Sequence, residues 1–82
     1  MTIEELKRRL PWIDVTQWGQ HPNGGGWKHE TATVPDTVAV PPSATIGDGA
    51  TIGSGAWIGD RASIGDRASI GDHASIGDDA SI

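Results

Sequence analysis

The chain has 82 residues, with no cysteine, phenylalanine or tyrosine, twelve glycines, four tryptophans and a formal charge of −5. Such a length supports one small domain whose core must come from Ile, Val and Ala, and it excludes a disulfide framework, a thiolate metal site and a cysteine nucleophile. Residues 1–31 balance four acids (Glu4, Glu5, Asp14, Glu30) against four bases (Lys7, Arg8, Arg9, Lys28), while residues 32–82 set seven aspartates against Arg61 and Arg67, so 7 − 2 places all of the excess negative charge there and argues against nucleic acid or an anionic membrane as partner.

The amino terminus, MTIEELKRRLP, interleaves apolar residues with charge, which is neither a secretory h-region nor a membrane span. The expected location is the cytoplasm or a virion. Thr2 followed by Glu5 fits a capping box and Pro11 a stop, predicting a helix over residues 3–10 with Ile3, Leu6 and Leu10 on one face. A helix this short needs tertiary support, so that face must dock on its own chain or on a neighbour. From Trp12 to Trp18 the chain alternates, with Ile13 and Val15 on one side and Asp14 and Thr16 on the other, which permits a short strand or extended arm.

His21-Pro22-Asn23-Gly24-Gly25-Gly26 reads as a Gly-rich linker and hinge, closing the segment 1–31. No G-K-[S/T] comes after it, so a phosphate loop is rejected. Trp12, Trp18 and Trp27 are expected to cap the open first coil of the repeats beyond residue 31. His21 and His29 lack other soft ligands nearby and read as linker residues, not as metal ligands.

Seven isoleucines then stand six residues apart, Ile46, Ile52, Ile58, Ile64, Ile70, Ile76 and Ile82, each preceded two residues earlier by an alanine, from Ala44 to Ala80. The register runs back through Val40 and Val34, with Val38 and Ala32 in the small-residue column, so a repeat covers residues 32–82. Pro35 and Pro41 occupy the slot that later holds Gly47, Gly53, Gly59, Gly65, Gly71 and Gly77, which suggests a corner needing no ladder hydrogen bond. Within one unit, Ala and Ile point inward and the residue between them outward, as in a strand; G-D-x makes a corner, because the Gly tolerates unusual backbone angles and the Asp can bond amides of its own turn. A helix would scatter residues six apart by about 240° and give no single buried stripe. A flat meander would leave the Ile face uncovered, so coiling supplies the missing surface.

The run IGDGATIGSGAWIGDRAS resembles the hexapeptide-repeat proteins, and the resemblance extends over residues 32–82. It implies an all-β solenoid, a left-handed parallel β-helix of nearly three coils at eighteen residues per coil, preceded by a short N-terminal helix and capping arm. Inward stacks would then be Ile46/Ile64/Ile82, Val34/Ile52/Ile70 and Val40/Ile58/Ile76. Outward stacks would be Thr45/Ser63/Ser81, Thr51/Ser69 and Ala39/Trp57/Ser75, leaving Trp57 on a solvent-facing wall of small residues. Corner stacks of Asp48 on Asp66 and Asp60 on Asp78 would repel by about 1 kcal/mol in water, partly offset by Arg61 over Asp79.

Many enzymes of that family are acyltransferases with a catalytic histidine near an extruding loop, but no loop interrupts these repeats and His73 sits at a variable corner. A zinc site of the family's three-histidine kind would need more than His73 in the coil. Rows of outward Thr, which such proteins use to bind ice, are here mostly Ser. No catalytic residue, cofactor or metal is therefore expected. Ile82 stops in mid-unit and leaves a strand edge able to accept another strand.

The leading expectation is a structural or assembly module: a rigid β-helical rod or stalk segment that self-associates, as a homotrimer by family resemblance. The residues expected at interfaces or caps are Ile3, Leu6, Leu10, Trp12, Trp18, Trp27 and Trp57. The competing expectation is the N-terminal part of a hexapeptide-repeat acyltransferase whose active site lies elsewhere.

Overall fold

The computed structural model describes residues 2–82. Helix α1 spans Ile3–Arg9, and its capping box is formed: the Thr2 hydroxyl accepts the Glu5 N–H at 3.2 Å while the Glu5 carboxylate accepts the Thr2 N–H at 3.3 Å. The helix ends one residue earlier than the spacing predicts. Leu10 leaves helical angles (φ −127°, ψ 71°) because the adjoining Pro11 disfavours them.

The alternating stretch after Pro11 does not form an extended arm. Asp14 Oδ1 accepts both the Thr16 N–H at 3.0 Å and the Thr16 hydroxyl at 2.6 Å, and this local bonding turns Val15–Gln17 into a single 3-10 turn. The same bonds, the hydroxyl first, hold the exposed Asp14 carboxyl below its ordinary pKa. Strands β1 (Trp18–Gln20) and β2 (Trp27–His29) then pair antiparallel, Trp18 with His29 and Gln20 with Trp27. Residues 21–26 are thus a hairpin connection, tied at both ends by His21 N–H to Gly26 O (2.7 Å) and Gly25 N–H to His21 O (3.1 Å), and not a free hinge.

From β2 onward every pairing is parallel at an offset of eighteen. Strand β2 meets β3 (Thr45–Ile46) through Trp27 and Thr45, and β3 meets β6 (Ser63–Ile64); β4 (Thr51–Ile52) meets β7 (Ser69–Ile70), and β5 (Trp57–Ile58) meets β8 (Ser75–Ile76). Isolated bridges from Thr33 to Thr51 and from Ser63 to Ser81 keep the same offset. Successive two-residue strands belong to different sheets in rotation, so the chain returns to each wall after eighteen residues. The register reaches back to Trp27, ahead of the start at residue 32 that the repeat alone suggests.

The core is the inward column. Ile46, Ile52, Ile58, Ile64, Ile70 and Ile76 are buried with Ala44, Ala50, Ala56 and Ala62, and Val38 and Val40 fill the first circuit. Main-chain bonds run from each circuit to the next, for example Thr45 N–H to Ala62 O at 3.0 Å and Trp57 N–H to Ala74 O at 2.8 Å.

Corner chemistry differs from the expectation in three ways. First, the positive φ falls on the third corner residue, not on the repeated Gly: Gly49 and Gly55 at +70° and +75°, then Arg61, Arg67, His73 and Asp79 at +58° to +61°. For the four side-chain-bearing residues that angle costs about 1 kcal/mol each. Second, the repeated Gly makes room for the next circuit. A Cβ on Gly53 would lie 2.5 Å from Asp72 N and from Gly71 C, and one on Gly59 2.6 Å from Asp78 N. That Gly also donates a ladder bond, Gly47 to Ile64 O and Gly53 to Ile70 O, which Pro35 and Pro41 at the same slot cannot. Third, the corner Asp reaches the circuit above, not its own turn: Asp66, Asp72 and Asp78 accept the N–H of Asp48, Ser54 and Asp60 at 3.1, 2.9 and 2.9 Å. These charge-assisted bonds counter the repulsion in the Asp stacks.

Candidate interaction surfaces

Each sheet turns an outer wall away from the core, and the sequence treats the three walls differently. On the first, Trp27 and Thr45 are outward yet buried, and Leu6 of α1 has no exposure at all. Arg9 pins the helix there, donating from Nη1 to Ser43 O at 2.7 Å and from Nη2 to Arg61 O at 3.2 Å. Of the predicted helix face, Leu6 therefore docks on its own chain, Leu10 is half-buried and Ile3 stays 43% exposed. The second wall is a bare row of hydroxyls, Thr33, Thr51 and Ser69, all exposed.

On the third wall Trp57 stands 70% exposed, paired with Ser75 in the next circuit. Beside it runs a groove of about 310 Å³ lined by Thr37, Ala39, Gly55, Ala56 and Ile58. Small side chains around a single indole give a flat, apolar patch with one raised ring.

The other tryptophans divide. Trp27 is buried under the first wall's cover; Trp18 is half-buried and meets His29 edge to face at 5.6 Å; Trp12, 75% exposed, caps no coil among the described residues. The upper circuit is closed instead by the hairpin connection. His21 is buried with Nε2 2.8 Å from Val38 O, Asn23 Nδ2 donates to Asp36 O at 3.0 Å, Val40 N–H donates to Asn23 O at 3.0 Å and Gly26 N–H to Val40 O at 2.8 Å. A carbonyl only accepts, so Nε2 of His21 carries the proton and Nδ1 is a buried acceptor without a partner among the described residues. Nothing in the string HPNGGG marks that burial; the residue reads as linker until the backbone is seen to fold over Val38.

His29, also read as a linker residue, belongs to a polar cluster with Thr31, Asp48 and Gly49. Its Nδ1 lies 2.8 Å from Thr31 Oγ1 and 3.6 Å from Asp48 Oδ1, the Thr31 hydroxyl donates to Asp48 Oδ1 in a short bond, and Gly49 N–H donates to Thr31 Oγ1 at 2.9 Å. Thr31 N–H donates to His29 Nδ1 at 3.2 Å, which makes Nδ1 the acceptor, and Nε2 carries the ring proton toward Gln17 Oε1 at 3.4 Å. The Thr31 hydroxyl gives its proton to Asp48 and accepts from Gly49 N–H, so it does not present that proton to the His29 imidazole. The cluster is a joint that fastens the end of β2 to the first Gly–Asp corner. His73 lies at an exposed corner against Gly55, whose Cβ would come within 2.6 Å of the His73 Nδ1.

Among the described residues, no helix is long and apolar enough to cross a membrane. Comparison with protein-family models, curated proteins and solved structures gave no match for the chain.

Proposed function

We propose that the chain is a structural assembly module: a rigid rod of the left-handed parallel β-helix kind that joins to further copies of itself through the Trp57 wall. The eighteen-residue pairing offset and the rotating sheets support the β-helix reading. One observation carries the functional reading: Trp57 is 70% exposed on a wall of small residues, where Thr or Ser would serve a monomer as well. Burying one such indole against a partner is worth about 2 kcal/mol or more, and several around one axis add up.

The walls also select the face. The first is occupied by α1 and the second offers only hydroxyls, so the third is the apolar side wall left for a partner. A homotrimer around Trp57 is the arrangement that resemblance to the hexapeptide-repeat proteins implies. Sedimentation of the chain and of Trp57→Ser tests it. The wild type is expected to sediment as a trimer and the variant as a monomer; equal association of the two would remove Trp57 from the interface.

A further inference from the structure

The sequence contains two steps at which an Asn or Asp precedes Gly, Asn23–Gly24 and Asp48–Gly49. Such steps are the natural sites of succinimide formation, because glycine has no side chain to block attack by its own backbone nitrogen on the preceding side-chain carbonyl carbon. The two steps are held very differently. At Asp48–Gly49 both reacting groups are engaged: Gly49 N–H donates to Thr31 Oγ1 at 2.9 Å and Asp48 Oδ1 accepts the Thr31 hydroxyl. At Asn23–Gly24, Gly24 is exposed and its N–H has no partner among the described residues, although His21, Gly25 and Gly26 in the same connection all donate main-chain bonds. The Asn23 carboxamide is tethered by one bond among the described residues, Nδ2 to Asp36 O at 3.0 Å, so the two steps differ in the attacking nitrogen, free at Gly24 and held at Gly49.

We infer that Asn23 is a site of spontaneous covalent modification, deamidation to aspartyl and isoaspartyl forms, and that the product unlatches the cap at the upper end. The Gly24 nitrogen gives its proton to solvent base and bonds to Asn23 Cγ; the Cγ–Nδ2 bond breaks and Nδ2 leaves as ammonia with a proton taken from water. Water then opens the five-membered imide at either carbonyl. No redox step is involved, and the chain gains one negative charge.

The effect on the cap comes from the bonds Asn23 makes. Its Nδ2 donor to Asp36 O is replaced by a carboxylate oxygen facing that carbonyl. In the isoaspartyl form the main chain runs through Cβ and Cγ and gains a methylene, while the Asn23 oxygen that accepts Val40 N–H becomes part of a pendant carboxylate, so that bond and Gly26 N–H to Val40 O cannot both stay in register. Gly24 packs so closely on Val40 that a Cβ would overlap its carbonyl, leaving no slack to absorb the change. Val38 and Val40, both buried, lose their cover.

The full chain is aged at mildly alkaline pH, native and in guanidinium, and isoaspartate is located by methyltransferase labelling and peptide mass spectrometry. Dividing each native rate by its unfolded rate removes the intrinsic difference between Asn and Asp. The ratio at Asn23 is expected to exceed that at Asp48 by roughly tenfold or more. A ratio at Asn23 as small as that at Asp48 would overturn the assignment. Thr31→Val, which frees Gly49 N–H and Asp48, is expected to raise the ratio at Asp48; if that variant does not fold, the wild-type ratios already decide. Hydrogen exchange on the aged protein reads the second half: Gly26 and Val40 amides lose protection in the modified fraction, and unchanged protection there would sink the unlatching.

Discussion

At the upper end Val38 and Val40 are sealed by a hairpin connection that donates and accepts main-chain bonds; at the lower rim Ala68, Ala74 and Ala80 are only partly covered and Ile82 is 54% exposed. The repeated glycines show the same contrast within one sequence motif. Gly47, Gly53 and Gly59 lie against the backbone and Asp carboxylate of the circuit below, whereas a Cβ on Gly71 or Gly77 would meet nothing within 4 Å. An identical residue at an identical repeat position is thus a steric requirement in one place and free in another. What decides is the neighbour eighteen residues on, not the local string.

The largest expected effect comes from splitting that pair. Gly53→Ala forces a methyl onto Asp72 N and Gly71 C, both backbone, and should cost about 2–3 kcal/mol in chemical denaturation, while Gly71→Ala should cost less than about 0.5. Equal costs would erase the distinction between the two ends. Next, Ile46→Ala at the sealed end should lose about 3–4 kcal/mol and Ile82→Ala at the rim less than about 1, measured the same way.

Smaller effects sharpen the picture of the corners. Asp72→Ala removes the acceptor for Ser54 N–H and is expected to cost about 1 kcal/mol, with Asp72→Asn recovering part of it through its remaining carbonyl oxygen. The Arg61–Asp79 pair at 2.9 Å is mostly exposed on both sides, so Arg61→Lys should change stability by less than about 0.5 kcal/mol and less still in high salt. The lowered pKa of Asp14 adds a sign: its folded value lies below the unfolded one, so its contribution is present at neutral pH and is lost as pH falls through the folded value. Asp14→Asn should flatten that acid limb of the pH–stability curve.

The repeat is legible because it is written in every unit: the Ile and Ala columns, the outward Trp57 and the capping box at Thr2 and Glu5 all lie where periodicity and spacing put them. The N-terminal third is not, since its structure depends on single contacts. The Asp14–Thr16 bond outweighs an alternating pattern, and His21 and His29 owe their burial to a hairpin whose strands carry no β-branched residues. The corners escape for a related reason. A local string pairs Gly and Asp with their own turn, while their partners in the folded chain belong to the neighbouring circuit.

Hydrogen exchange at the repeated glycines tests the stacking most directly. Gly53 and Gly59 donate at 2.7 and 2.8 Å to Ile70 and Ile76, and no described residue lies in the matching place below Gly71 and Gly77. Gly53 and Gly59 amides should be protected to nearly the global stability, and those of Gly71 and Gly77 should exchange at close to the unprotected rate. Uniform protection along the column, or none in it, would contradict the stacking.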